Sequence, residues 1–139
     1  MTSITITVPG DPVAKGRPRI TTRGGYARAY TPQKTRDYEA RVAAEARKVM
    51  GGRKPLEGPL SVEIGAFMPI PASWSRGREY EAALQIIEPT GRPDLTNIAK
   101  AVEDALNGIV WKDDSQITEL LLSKRYSREP RVTIEVWRV

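Results

Sequence analysis

The sequence predicts a single small domain of the mixed α/β (α+β) class. The length of 139 residues suits one domain with its own core, and a hydrophobic fraction of 40% is typical of a globular fold. Segments with the alternation of β-strands occur together with segments that have helical periodicity. We find no repeat, low-complexity tract or domain linker, so we expect one domain over residues 1–139.

Four segments have the pattern of β-strands. In the first, Ile4, Ile6 and Val8 alternate with threonines, which is typical of a half-buried strand that a Pro-Gly-Asp-Pro turn ends. The predicted strands cover residues 4–8, 60–68, 116–126 and 131–139, and the last two are joined by a turn at Glu129-Pro130.

Two segments have the periodicity of long helices. The first begins with Thr31 as N-cap and Pro32 at the first helical position, and Gly51-Gly52 ends it. The second covers residues 94–107 and stops at Gly108, while residues 73–84 predict one or two short helices. The predicted apolar stripes comprise Tyr38, Val42, Ala46 and Val49 in the first helix and Leu95, Ile98, Val102, Ala105 and Leu106 in the second.

The composition excludes several kinds of chemistry. The chain has no cysteine, which rules out disulfides, zinc fingers and thiol catalysis, and no histidine, the usual general base and metal ligand. Any metal would be held by oxygen atoms, which favours Mg²⁺ or Mn²⁺. No apolar stretch approaches the roughly 20 residues of a membrane span, and residues 1–8 lack a basic signal-peptide region. We therefore expect a cytoplasmic protein without a membrane partner.

Positive charge is concentrated in the first third of the chain. The net charge is +5, and residues 14–54 contain 12 Lys and Arg against 3 Asp and Glu, which favours a polyanionic partner. In this interpretation Gly24-Gly25 gives the basic segment a mobile tip. One alternative is a merely solubilising hairpin, and another is that Arg17 or Arg19 holds a scissile phosphate. The predicted nucleic-acid contacts are Lys15, Arg17, Arg19, Arg23 and Arg28.

Polar side chains form a stripe on the second predicted helix. At about 100° per residue, Asp94, Asn97, Lys100 and Asp104 fall within roughly a third of the circumference. Asp113-Asp114 follows after a short turn and can fold back beside them. The structural alternative is that Asp94 caps the helix, Lys100 and Asp104 form a surface ion pair, and Asp113-Asp114 is a turn.

The order of motifs resembles the RusA-like Holliday junction resolvases, in particular the phage and prophage branch. The resemblance is carried by Pro93-Asp-Leu-Thr-Asn-Ile-Ala-Lys100, then Asp104-Ala-Leu-Asn-Gly108, then Trp111-Lys-Asp-Asp-Ser-Gln116. Lys15-Gly-Arg-Pro-Arg19, Tyr30-Thr-Pro32 and Ile70-Pro-Ala-Ser-Trp74 add to it. It implies a mixed sheet packed with two main helices, a homodimer, and Mg²⁺-dependent hydrolysis of branched DNA in recombination and repair, with Mn²⁺ able to substitute.

The resemblance also assigns roles to individual residues. Asp94 matches the first metal-binding aspartate, Lys100 the catalytic lysine, and Asp114 the aspartate after the aromatic residue. Asn97, Asp104, Trp111, Asp113 and Gln116 match recurrent signature positions.

One position departs from the family pattern. Thr96 stands where the family often has a further aspartate, so one carboxylate is lost, and Asp113 or Asp104 is the alternative source of that charge. A second hypothesis is therefore a non-catalytic, structure-selective DNA-binding protein whose metal site is weakened by Thr96.

Overall fold

The computed structural model describes residues 3–139, and its elements confirm the mixed α/β class and the single small domain. Three helices and six strands occur within the described residues. In chain order they are β1 (Ile4–Pro9), β2 (Arg19–Thr21), β3 (Arg28–Tyr30), α1 (Gln33–Met50), β4 (Leu60–Pro69), α2 (Arg76–Ala83), α3 (Leu95–Leu106), β5 (Ile117–Ser127) and β6 (Arg131–Arg138). A short 3₁₀ turn, Asp114–Gln116, lies immediately before β5.

The main sheet is mixed, as expected, and has the strand order β1-β6-β4-β5. β6 pairs antiparallel with both β1 and β4, whereas β4 and β5 are parallel. β5 and β6 are consecutive in sequence but do not pair, because β4 lies between them. Because β4 and β5 are parallel neighbours, the chain between them must make a long connection back to the start of the sheet. This connection contains α2 and α3. β2 and β3 form a separate small antiparallel hairpin.

The core lies on one face of this sheet, against α1 and α3. Residues of β1 alternate between buried and exposed, and residues of β6 between buried and partly buried, as a sheet with one covered face requires. Val62 and Ile64 of β4 pack in the same cluster as Val42 of α1 and Val102 of α3. Fully burying side chains of this size contributes about 1.5–3 kcal/mol each. This packing fixes the orientation of α3 and therefore of its polar side.

Three sequence expectations were wrong in detail. α1 begins at Gln33 with Pro32 at the cap position, one residue later than expected. Val49 is exposed, and Met50 is buried instead because it continues the four-residue spacing of the core-facing positions. In α3, Leu95 and Ala105 are only partly buried, because they flank the stripe that faces the sheet.

The remaining segments agree with the expected organisation. Residues 73–84 contain the short helix α2, which Ser75 caps by accepting a hydrogen bond from the Arg78 N–H. Gly24 and Gly25 both have positive φ at the tip of the β2–β3 hairpin. No helix within residues 3–139 is long and apolar enough to cross a membrane.

Candidate active site

Asp94 stands at the N-terminal end of α3 with its carboxylate uncommitted. It occupies the cap position, but its side chain makes no capping hydrogen bond to the helix backbone. Asn97 Nδ2 lies 3.5 Å from Asp94 Oδ2, at the outer limit of a hydrogen bond. The interpretation of Asp94 as a simple helix cap therefore lacks its expected contact, and the exposed carboxylate is free to bind a ligand.

Lys100 joins the polar side of α3 to the residues after it. Its ammonium nitrogen lies 3.1 Å from Asp104 Oδ1 and 3.5 Å from Asp114 Oδ2. The chain after α3 thus folds back and brings Asp114 beside the helix, as the sequence suggested. Asp94 precedes Lys100 by six residues, about 9 Å along the helix axis, so these side chains form an extended polar surface.

Lys15 connects the charged side chains of α3 with a carboxylate of α1. Its ammonium lies 2.9 Å from Glu39 Oε2 and 3.2 Å from Asp104 Oδ2. Its backbone N–H donates to the Asn97 carbonyl at 2.8 Å, which holds this segment against α3. Lys15 was predicted among the DNA contacts, but here two carboxylates surround it. The sequence did not indicate Glu39, because nothing local predicts a contact 24 residues away.

Both lysines of this group are held in the protonated state. Hydrogen bonding to Asp104, together with the charges of Asp104 and Asp114, raises the pKa of Lys100. Burial opposes the charged form of Lys15, but its bonds to Glu39 and Asp104 outweigh burial and raise the pKa. Each therefore serves as a positive charge or proton donor at neutral pH, not as a general base.

A buried tryptophan supports the turn that carries Asp114. Trp111 is fully buried, and its indole N–H donates to Asn107 Oδ1 at 2.8 Å. A buried indole needs such an acceptor. Gly108, with φ of 82°, supplies the tight turn between them. Trp111 and Asn107, both in the signature string, thus form a structural support, and Trp111 is not available to stack on a base.

Hydrogen bonds of the Asp113 and Gln116 side chains fix the backbone of the turn that contains Asp114. The Asp113 carboxylate accepts from the Ser115 N–H at 3.0 Å, and Gln116 Oε1 accepts from the backbone of Asp113. Gln116 Nε2 also donates to two carbonyls of the loop before β4, those of Leu56 and Gly58. The hydrogen bond from Ser115 lowers the pKa of Asp113. Asp113 therefore acts here as a cap, while the adjacent Asp114 points to Lys100.

The remaining acidic residue near these charges is Glu103 of α3, whose carboxyl group is affected electrostatically by Asp114. Partial burial first, and then the negative charge of Asp114, raise the pKa of Glu103, while Lys100 partly offsets this. The folded state therefore binds the Glu103 proton more tightly than the unfolded chain does. At pH values above the folded pKa, the ionised Glu103 destabilises the fold.

We expect Glu103→Gln to stabilise the metal-free protein at pH 7 by a few tenths of a kcal/mol, about 0.3, because solvent screens this partly exposed group. The gain should vanish as the pH falls below the ordinary value of 4.5, where Glu103 is itself protonated. Denaturant unfolding in EDTA at both pH values tests this. An equal gain at acidic pH would show that charge is not the cause.

A basic cleft opens beside Asp94. It has a volume of about 960 Å³, and Asp94 and Asn97 form part of its wall. The cationic side chains that line it are Arg17, Arg19, Lys34 and Arg92. A second cleft of about 610 Å³ continues from it, since Lys34 and Arg92 line both. The charge pattern of the sequence indicated Arg17 and Arg19 as contacts but not Lys34 of α1 or Arg92.

The other predicted basic contacts lie outside this cleft. Arg23 and Arg28 are exposed at and beside the tip of the β2–β3 hairpin, where Arg28 lies over the Tyr26 ring. Thr96 is exposed at the second position of α3.

The acidic side chains could supply oxygen ligands to a metal ion, but they do not by themselves form a complete coordination site. Within residues 3–139, no three acidic side chains stand close enough to hold a metal ion by themselves. Asp104 uses one oxygen for Lys100 and the other for Lys15. The two signature aspartates that remain least committed to the protein are Asp94 and Asp114. Such a sparse set suits Mg²⁺, which commonly takes one or two carboxylates and completes its shell with water and phosphate oxygens.

Comparison with known proteins shows similarity to a protein family and to a relative of nearly the same length. The family described as Endodeoxyribonuclease RusA matches residues 9–137. A protein of Bacillus subtilis (strain 168), described as Uncharacterized protein YqaN, is 37% identical over 141 residues, covering 98% of this chain and 96% of the relative. The family match spans both the basic cleft and the charged group on α3.

Proposed function

The chain belongs to the RusA endodeoxyribonuclease family, and from this premise we propose that it cuts Holliday junctions or related branched DNA in a reaction that requires Mg²⁺. We assign catalysis to Asp94, Lys100 and Asp114. The proposal rests on Asp94, which lies in the wall of a cleft lined by four cations and at the start of α3. The same helix carries Lys100, whose ammonium lies 3.5 Å from Asp114. A surface of that kind suits a phosphodiester, which needs positive charge along the backbone and oxygen ligands at the reacting phosphate.

Asp94 and Asp114 would hold the metal ion, and their donor chemistry fits a hard cation. When bound, such an ion supplies Lewis-acid activation of the phosphate and lowers the pKa of a water molecule. Asp104 and Asp113 are assigned supporting roles, because the one is neutralised by two lysines and the other caps the turn. Asn97 is a polar neighbour of Asp94, with its Nδ2 3.5 Å from Asp94 Oδ2. Thr96 precedes it in the first turn of α3 and is assigned a supporting role only.

Lys100 stabilises negative charge at the reacting phosphate. Its raised pKa keeps the ammonium charged, and its place between Asp104 and Asp114 sets its position. A fixed charge of this kind costs little reorganisation during the reaction. It can also give a proton to the leaving oxygen, whereas water attack requires a base other than this lysine.

We expect junction binding to survive removal of the metal but to weaken steeply with salt. Arg17, Arg19 and Arg92 line the cleft, and each phosphate contact releases counterions. Changing any one of them to alanine should reduce the slope of log affinity against log salt by about 1.

Fluorescence anisotropy with a labelled four-way junction in EDTA measures that slope. Lys54→Ala is the matched control, because Lys54 is exposed and does not line the cleft. Affinity that barely changed between 50 and 200 mM salt, a range over which about six phosphate contacts cost at least 10³-fold, would contradict the proposal.

The alternative is a DNA-binding protein without catalysis, in which Thr96 has removed a necessary ligand. A labelled four-way junction incubated with the protein and Mg²⁺, then with EDTA, separates the two. Nicks that require the metal support the enzyme. Binding without nicks, with either Mg²⁺ or Mn²⁺, supports the alternative.

A further inference from the structure

The β2–β3 hairpin carries large apolar side chains that the core does not use. Within residues 19–30 only Thr21 is partly buried, and every other side chain is exposed. Ile20 is 75% exposed, Tyr26 is 63% exposed and Tyr30 is 45% exposed. None of these three side chains belongs to the hydrophobic core or packs against it. Several large apolar side chains held together in solvent indicate a binding surface.

The strand pairing of the hairpin divides its side chains between two faces. Arg19 lies opposite Tyr30, and Thr21 lies opposite Arg28. Residues directly opposite each other in an antiparallel pair share a face, and so do alternate residues along one strand. These four side chains therefore stand on one face of the hairpin, and Ile20 stands on the other.

The tip of the hairpin adds a second tyrosine to the face that carries the arginines. The Gly25 N–H donates to the Thr22 carbonyl at 3.1 Å, which closes the turn. Tyr26 follows this turn, and the Arg28 guanidinium lies 5.9 Å from the centre of its ring, within the range of a cation–π contact. Since Arg28 shares its face with Tyr30, this face presents a tyrosine, an arginine and a tyrosine in succession.

The charge around the hairpin favours a nucleic acid as its partner. Residues 12–36 include seven lysines and arginines and no aspartate or glutamate. Arg19 also lines the cleft that has Asp94 in its wall, so this face of the hairpin adjoins the cleft at that residue. Aromatic side chains beside a basic groove bind single strands, because bases stack on the rings while phosphates pair with the cations. A duplex presents mainly its phosphates to such a surface, since its bases are already stacked on one another.

We propose that this face of the hairpin binds unpaired nucleotides of the DNA substrate, with bases stacked on Tyr26 and Tyr30 and with Arg28 paired to the phosphate backbone. The inference rests on the proposed function in one respect, because the strand that leaves the hairpin would enter the cleft beside Asp94. The substrate is then branched DNA that exposes unpaired nucleotides at the branch, such as a flap, a fork or a junction opened at its crossover.

Binding measured in EDTA tests this stacking platform without relying on cleavage. The probes are a labelled oligothymidylate and a labelled duplex of the same length, followed by fluorescence anisotropy. Tyr26→Leu and Tyr30→Leu should each raise the dissociation constant for the oligothymidylate at least about fivefold, the loss of one stacked base, and change that for the duplex by less than about twofold. Tyr26→Phe and Tyr30→Phe keep the ring and should bind both probes as the wild type does.

Two further variants serve as controls for this experiment. Tyr80→Leu removes an exposed tyrosine of α2, outside the hairpin. Ile20→Thr removes an exposed apolar side chain from the opposite face of the same hairpin and keeps a β-branched residue in the strand. Both variants should bind the oligothymidylate with the wild-type dissociation constant.

The outcomes separate this inference from the proposed function. A wild type that does not bind the oligothymidylate, leucine variants that bind it normally, or equal losses for the single strand and the duplex would overturn the stacking platform and leave the nuclease intact. Phenylalanine variants as weak as the leucine variants would overturn it as well. A protein that passes these binding tests but never nicks a four-way junction with Mg²⁺ would refute the nuclease and leave the platform standing.

Discussion

Asp94→Asn and Asp114→Asn should each reduce junction cleavage by more than about 100-fold. Losing only a supporting partner of a metal ligand costs up to that much, and these changes remove a proposed ligand itself. Both variants should remain folded. Asn caps a helix about as well as Asp, and Asp94 makes no capping bond to lose. Junction binding in EDTA should be unchanged or tighter, because one negative charge near the phosphates is gone.

Asp113→Asn is the matched control for this experiment. Asp113 is adjacent to Asp114, but its carboxylate accepts from the Ser115 N–H, a bond that an asparagine side-chain oxygen can also accept. We expect cleavage within a few-fold of wild type. Single-turnover rates at saturating Mg²⁺, with binding measured separately, give the comparison. An Asp94→Asn protein that is folded and cuts at the wild-type rate would remove Asp94 from the active site.

Lys100→Ala should lower the maximal cleavage rate by about 100-fold or more, the usual effect of removing one group that stabilises charge in a transition state. The loss should appear mainly in kcat, because the basic cleft that binds the backbone is lined by other side chains. Lys112→Ala, at an exposed lysine of the following turn, is the control and should leave the rate unchanged.

The pH dependence of the wild-type cleavage rate shows whether Lys100 acts as a positive charge or as a general base. The bonds and charges of Asp104 and Asp114 raise the pKa of Lys100, so its ammonium is present throughout the neutral range and is lost only at strongly alkaline pH. The wild-type rate should therefore show no ionisation of this lysine between pH 6 and 9, a range well below its ordinary value of 10.5. A rise in rate that depends on Lys100 losing its proton in that range would contradict the role assigned to it.

The sequence predicted the elements of the site better than the contacts between them. Helical periodicity placed Asp94, Lys100 and Asp104 on one polar side, and the structure keeps Lys100 and Asp104 3.1 Å apart. That pair depends only on local helix geometry, which the sequence contains. The return of Asp114 to Lys100 was also suggested, since only a short turn separates it from α3.

Contacts between distant segments could not be predicted in the same way. Glu39 meets Lys15 because α1 and α3 pack against each other on the sheet, and Arg92 joins Arg17 at one cleft for a similar reason. The basic stretch was predicted from charge alone, and charge does not show that Lys15 turns inward to two carboxylates. The strand order could not be predicted either, because periodicity shows which face of a strand is buried but not which strand lies beside it.

In the function we propose, Asp94 and Asp114 hold the divalent cation on which cleavage depends. Crystals soaked in Mn²⁺ test it most directly, because the anomalous signal of the metal locates it independently of the protein coordinates. We expect a peak with carboxylate oxygens of Asp94 and Asp114 at bonding distance, and the loss of that peak in Asp94→Asn crystals soaked identically. A peak bound elsewhere, or one that persists unchanged without the Asp94 carboxylate, would contradict it.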